Sequence, residues 1–177
     1  MTRLSQQVYL TGYRGTGKTS VAAIIAHTLG CAAVDLDDIV ERNCGKSIRE
    51  IFDDVGEGGF RELESESLFA LPTSERAIVS LGGGAILREQ NREWIRRHGV
   101  CVWLDASPET LAQRVLADQT SAARRPPLTD LSAQEEIRRV LSQRRPFYDS
   151  VSDCRVWTSD KTIEQVADEV VGFLRSE

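Results

Sequence analysis

Gly12-Tyr13-Arg14-Gly15-Thr16-Gly17-Lys18-Thr19 satisfies the pattern G-x-x-x-x-G-K-[ST] at every fixed position. Its surroundings matter as much as the match. Val8-Tyr9-Leu10 before it is a short apolar run. After it, Ser20 to Leu29 places Val21, Ile24, Ile25 and Leu29 at helical spacing, and Gly30 stops the run. A strand, a glycine-rich loop and a helix in that order let successive backbone N–H groups curl around phosphate oxygens. The helix adds the positive end of its dipole. Gly12, Gly15, Thr16, Gly17, Lys18, Thr19 and Ser20 are therefore the expected nucleotide-binding residues. Lys18 can reach the β- and γ-phosphates as a mobile charge, and the Thr19 hydroxyl can ligate Mg²⁺.

Moving outward, strand-like and helix-like stretches alternate. Short apolar runs recur at Ala32 to Leu36, Ala77 to Leu81, Val100 to Leu104 and, more weakly, Arg155 to Thr158. Helical patterns fall at about Gly59 to Leu71, Arg88 to Arg97, Pro108 to Ala117, Ala133 to Asp149 and Thr162 to Arg175. This alternation predicts an α/β fold of three layers, with a parallel sheet of about five strands between helices. Ligands bind beyond the carboxyl ends of such strands. The informative residues should follow Leu10, Leu36, Leu81 and Leu104. The 177 residues suit one domain, 1–177, with no internal repeat or linker.

Composition narrows the function classes. Twenty-two basic against 27 acidic residues leave a net charge of −5, which gives no support to a nucleic-acid partner. Lys18, Lys46 and Lys161 are the only lysines; the other basic residues are arginines, suited to two-pronged recognition of carboxylate and phosphate. Cys31, Cys44, Cys101 and Cys154 form no C-x-x-C pair, and His27 and His98 are far apart, which argues against zinc. Cys101 reads as a buried hydrophobe. Met1 to Tyr9 has no signal-peptide core and no stretch is long enough to span a bilayer, so a cytoplasmic protein with no membrane partner is expected.

Asp35-Leu36-Asp37-Asp38 closes the second strand. Beside a phosphate loop, one carboxylate can face a metal through water. The other can orient a substrate hydroxyl or accept its proton. Asp38 is the better candidate for capping a following helix. The phosphate loop alone does not name a reaction. A GTPase would carry N-K-x-D, which is absent, and an ATP-driven motor would be longer. The short chain favours a small-molecule kinase.

A more specific pattern lies further on. Arg61-Glu62-Leu63-Glu64 and Leu68 precede Ile78-Val79-Ser80-Leu81-Gly82-Gly83-Gly84-Ala85-Ile86. Gly45-Lys46-Ser47-Ile48-Arg49-Glu50-Ile51-Phe52, Gly56-Glu57-Gly58-Gly59-Phe60 and Arg144-Arg145-Pro146-Phe147-Tyr148 flank them in one colinear order. Together these resemble the shikimate kinase family over nearly the whole chain. Three glycines after a strand let backbone N–H groups approach a ligand. Arg61 and Arg144 could converge on a carboxylate.

The resemblance implies strand order 2-3-1-4-5, as in nucleoside monophosphate kinases, and phosphorylation of the 3-hydroxyl of shikimate by ATP with Mg²⁺. It implies that Asp37, Arg61, Gly82, Gly83, Gly84 and Arg144 bind shikimate, within a substrate segment of about 37–63. Thr19, and Asp35 through water, would hold the metal. Arg114 matches a position that stacks on adenine. Residues 118–132, with two arginines and two prolines, resemble the family's mobile lid. There Arg125 would be the lid arginine, catalytic beside Lys18 and Asp37, with Arg124 its rival. A monomer is expected. Two other readings stay open: a gluconate or nucleotide kinase, and a nucleotide-binding module without phosphoryl transfer. Neither would be expected to combine Arg61, the triple glycine and Arg144 with intact Lys18, Thr19, Asp35 and Asp37.

Overall fold

The computed structural model describes residues 7–117 and 133–176. Its sheet has the order β2 (Ala32–Asp35), β3 (Ala77–Ser80), β1 (Gln7–Thr11), β4 (Gly99–Asp105), β5 (Cys154–Trp157). Every neighbouring pair is parallel, with Val8 opposite Ile78 on one side and Val100 on the other. Parallel neighbours require crossovers, and helices supply them.

Alternate residues of the central strands serve two cores. Val8, Leu10, Ile78, Val102, Leu104 and Val156 face one layer, filled by Val21 and Ile25 of α1 (Lys18–Leu29) and by Val166, Val170 and Leu174 of α7 (Ile163–Arg175). Tyr9, Val79, Cys101 and Trp103 face the other. They pack on Leu68 of α3 (Ile48–Phe69), Ile95 of α4 (Glu89–His98), and Tyr148 and Val151 of α6 (Ala133–Val151). Burial on both faces explains why these strands read as unbroken apolar runs. A smaller cluster joins Tyr13 of the phosphate loop to Leu111 of α5 (Pro108–Ala117) and to Ile137 and Leu141 of α6. Since all strands run one way, Thr11, Asp35, Ser80, Asp105 and Trp157 end on one edge, and the site assembles there.

Two local expectations need correction. The second strand stops at Asp35, and α2 (Leu36–Cys44) begins at once. Asp35, not Asp38, is its cap: the Asp35 carboxylate accepts the Asp37 N–H at 3.0 Å. The helix expected from Gly59 instead starts at Ile48. Ser47 and Glu50 form a reciprocal capping box there, and the helix runs on through a kink at Gly56. Gly56, Gly58 and Gly59 disguise that first segment as a loop in sequence.

Candidate active site

The phosphate loop is shaped by contacts that leave no room for side chains. Gly12 has φ 141°, and a Cβ there would come within 2.2 Å of the Leu104 carbonyl oxygen on β4. Only glycine lets the loop leave β1 against its neighbour strand. Lys18 folds back over the loop, its Nζ donating to the carbonyls of Gly12 (2.9 Å) and Tyr13 (3.0 Å). Thr16 Oγ1 donates to the Tyr13 carbonyl at 2.8 Å, closing the turn from inside. These bonds hold the loop in shape. Ser20 is exposed on the first turn of α1.

Two strand ends and the first turn of α1 bring oxygen ligands together. Thr19 Oγ1 donates to Asp35 Oδ2 at 2.7 Å and lies 3.4 Å from Ser80 Oγ. Thr19 and Asp35, the expected metal residues, therefore meet. Among the described residues no group of three or more His, Cys, Asp or Glu could cage a metal. A hydroxyl and a carboxylate suit a hard cation that takes its remaining ligands from phosphate and water, as Mg²⁺ does.

The arginines converge as well. Arg61 is buried, with 8% of its surface exposed, and its Nη1 donates to the fully buried Glu64 carboxylate at 2.6 Å. Its Nη2 pairs with Glu57 at 3.5 Å, and its guanidinium lies 5.1 Å from the centre of the Phe60 ring. A Cβ on Gly84 would come within 2.4 Å of Arg61 Nη2. Arg144 Nη1 donates to the Gly83 carbonyl at 3.0 Å, and the Tyr148 hydroxyl donates to the same oxygen at 2.8 Å. Burial pushes the Tyr148 phenol up to about 12, opposed by the nearby Arg144 charge, so it stays a neutral donor. Two arginines 83 residues apart in sequence (144 minus 61) meet over adjacent glycines. From beneath, Arg92 of α4 donates to the carbonyls of Ile86 (2.7 Å) and Leu87 (2.9 Å) and pins the turn that follows the glycines. Asp37 stands half-buried on the first turn of α2, which packs along α3, the helix bearing Arg61.

On the other side of the phosphate loop lies a cleft of about 180 Å³, lined by Gly15, Gly17, Arg114, Thr158, Lys161 and Ile163 among others. Arg114 Nη1 donates to Thr158 Oγ1 (3.0 Å) and to the Gly15 carbonyl (3.3 Å), and Nη2 donates to the Thr158 carbonyl (2.8 Å). Ile163 is exposed at the mouth although apolar. Thr158, Lys161 and Ile163 escape a reading that looks only beyond the first four strand ends. The same rule applied to the fifth would have found them. Arg14 escapes too: its Nε is buried without a hydrogen-bond partner, and its backbone N lies 3.7 Å from where a Gly83 Cβ would be. Arg124 and Arg125, with the rest of the expected lid, lie outside the described residues.

Sheet order and phosphate cradle together define the P-loop kinase fold. Comparison with known proteins narrows that class. A family model for shikimate kinase matches residues 14–175. The shikimate kinase of Rhodopirellula baltica is 45% identical over 166 residues, 94% of this chain and 89% of that one. The shikimate kinase of Symbiobacterium thermophilum is 37% identical over 95% of each chain. The solved structure of a shikimate kinase from Acinetobacter baumannii in complex with shikimate matches with a TM-score of 0.88 at 34% identity, covering 97% of this chain and 94% of that one. The chain belongs to the shikimate kinase family.

Proposed function

We propose that this chain transfers the γ-phosphoryl group of ATP to the 3-hydroxyl of shikimate, releasing ADP and shikimate 3-phosphate. The convergence of Arg61 and Arg144 on Gly84 and Gly83, which pack against the phosphate loop, carries the reading. Such a pair matches a carboxylate acceptor and has no evident use for a neutral one.

In this mechanism the guanidinium groups of Arg61 and Arg144 hold the acceptor's carboxylate, and Gly82, Gly83 and Gly84 admit it close to the backbone. Asp37 accepts a hydrogen bond from the attacking hydroxyl and fixes its direction, taking its proton as the new P–O bond forms and the bond to the ADP oxygen breaks. Lys18 leaves the Gly12 and Tyr13 carbonyls for the β- and γ-phosphate oxygens, and the loop amides keep those oxygens in line. Little covalent chemistry falls to the protein; positioning and charge stabilisation do most of the work. Thr19, and Asp35 through water, would hold Mg²⁺, which supplies charge neutralisation on the phosphates. Arg114 would stack on the adenine in the cleft beside it. Arg125 would close over the phosphates from the 118–132 lid, and the substrate segment would run over about 37–63. A monomer acting in the cytoplasm completes the proposal. Among the described residues no helix is long and apolar enough to cross a membrane.

A coupled ADP-release assay with shikimate, gluconate and nucleoside monophosphates tests the reading. Rapid, saturable turnover with shikimate alone is expected. Preference for gluconate or a nucleotide would replace the acceptor. Absence of turnover with all three, despite ATP binding, would reduce the chain to a nucleotide-binding module.

A further inference from the structure

The Arg114 guanidinium is gripped in a way that its side-chain length does not require. A long arginine beside an open cleft ordinarily samples many rotamers, and ordering it on a ligand weakens binding. Here three acceptors meet its two terminal nitrogens, and two of them come from one residue. Thr158 presents its hydroxyl to Nη1 at 3.0 Å and its carbonyl to Nη2 at 2.8 Å, an end-on fork. The third is the Gly15 carbonyl of the phosphate loop, at 3.3 Å. Thr158 is itself fixed. It is 1% exposed, and its N–H donates to the Asp105 carbonyl at 2.8 Å, one step beyond the register in which β5 pairs with β4. Rigidity therefore passes from the sheet through Thr158 to Arg114, whose grip on Gly15 ties it to the phosphate loop.

We propose that Thr158 is a positioning residue for nucleotide recognition, holding the Arg114 guanidinium in a fixed plane at the edge of the cleft so that one flat face is offered to a purine base. The proposal rests on the reading of Arg114 as the adenine-facing residue. It adds that the energy of base recognition depends on the Thr158 hydroxyl through the guanidinium it holds. Ile163, apolar yet exposed at the same mouth, gives the base a second surface. The chemistry expected there is therefore a flat heteroaromatic ring between a cation and an aliphatic side chain.

The test uses the full chain and two probes with Mg²⁺: ADP, which carries a base, and inorganic tripolyphosphate, which does not. Thr158→Val keeps the shape and removes the hydroxyl. It should weaken ADP by about 3- to 10-fold, the scale of ordering one long side chain, and leave tripolyphosphate unchanged. Thr158→Ser should restore ADP affinity to within about twofold, because the acceptor returns. In an Arg114→Ala background, Thr158→Val should cost nothing further, since the group it positions is gone. Equal weakening of both probes, or a further loss in the Arg114→Ala background, would mean that Thr158 merely supports the fold. Unchanged ADP affinity would also overturn the proposal. Should Thr158→Val fail to fold, Thr158→Ala is carried through the same comparison of probes. Wild-type protein that binds tripolyphosphate but shows no preference for ADP would sink the adenine reading itself, a different failure from an unaffected Thr158→Val in a chain that does prefer ADP.

Discussion

Gly84 and Arg61 cannot both keep their places if Gly84 acquires a side chain. The new Cβ would sit 2.4 Å from Nη2, and the guanidinium cannot swing aside cheaply because the buried Glu64 holds it at 2.6 Å. Gly84→Ala should therefore raise the KM for shikimate by about 10- to 100-fold, as expected when a positioning group is displaced by an ångström or so. The KM for ATP should change little, and steady-state kinetics with each substrate varied in turn would show it. Glu64→Ala belongs to the same scale but acts on stability. Among the described residues it leaves the buried arginine one remaining carboxylate, the long contact to Glu57, and breaking a buried pair costs about 3–5 kcal/mol. A urea midpoint indistinguishable from wild type would refute the anchoring role.

At the scale of elements, the departures from expectation share one cause. Helix α2 and the first segment of α3 are short and bounded by Gly45, Gly56, Gly58 and Gly59, so the glycines make them read as loop although Leu36, Ile39 and Val40, and Ile48, Ile51, Phe52 and Val55, stand at helical spacing. What builds them is local hydrogen bonding together with packing on each other through Val40, Ile48, Ile51 and Phe60. The Ser47–Glu50 box was legible in principle, since Ser-Ile-Arg-Glu has its spacing. Ser47→Ala should lower stability by about 1 kcal/mol in urea unfolding. Its effect on shikimate kinetics should be small, because the cap lies on the far side of the Gly56 kink from Arg61. A large rise in the KM for shikimate would show that the kink does not isolate the two halves. By contrast, β1, α1 and β4 were legible almost to the residue, because both faces of those strands are buried and the apolar runs are uninterrupted.

Across the whole molecule, three buried weak acids contribute stability that is lost at alkaline pH. Burial pushes the Cys101 thiol from 9.0 to about 12, and the Tyr9 and Tyr148 phenols from 10.0 to about 12. Their folded values lie above their unfolded ones, so the unfolded chain loses these protons first. Their contribution is complete below pH 9 and is lost as pH rises from 9 towards 12. The urea midpoint should fall steadily over that window, and a midpoint that rose there would reverse the sign. The fold was readable because the central strands β3, β1 and β4 are buried on both faces and read as apolar runs, while the largely exposed edge strands β2 and β5 were legible more from their alternation with helices. The site was readable in part. The phosphate loop is a local pattern, whereas the meeting of Arg61 with Arg144 and the hold of Thr158 on Arg114 are products of the sheet order, which spacing alone does not disclose.

On the function proposed above, two arginines from distant helices, Arg61 on α3 and Arg144 on α6, grip the acid group of the acceptor. The KM for shikimate in Arg61→Ala, measured beside the wild type at saturating ATP, tests it most directly. A rise of about 100-fold or more is predicted, the scale of losing one partner from a desolvated charge pair. An unchanged value in a correctly folded variant would contradict the claim.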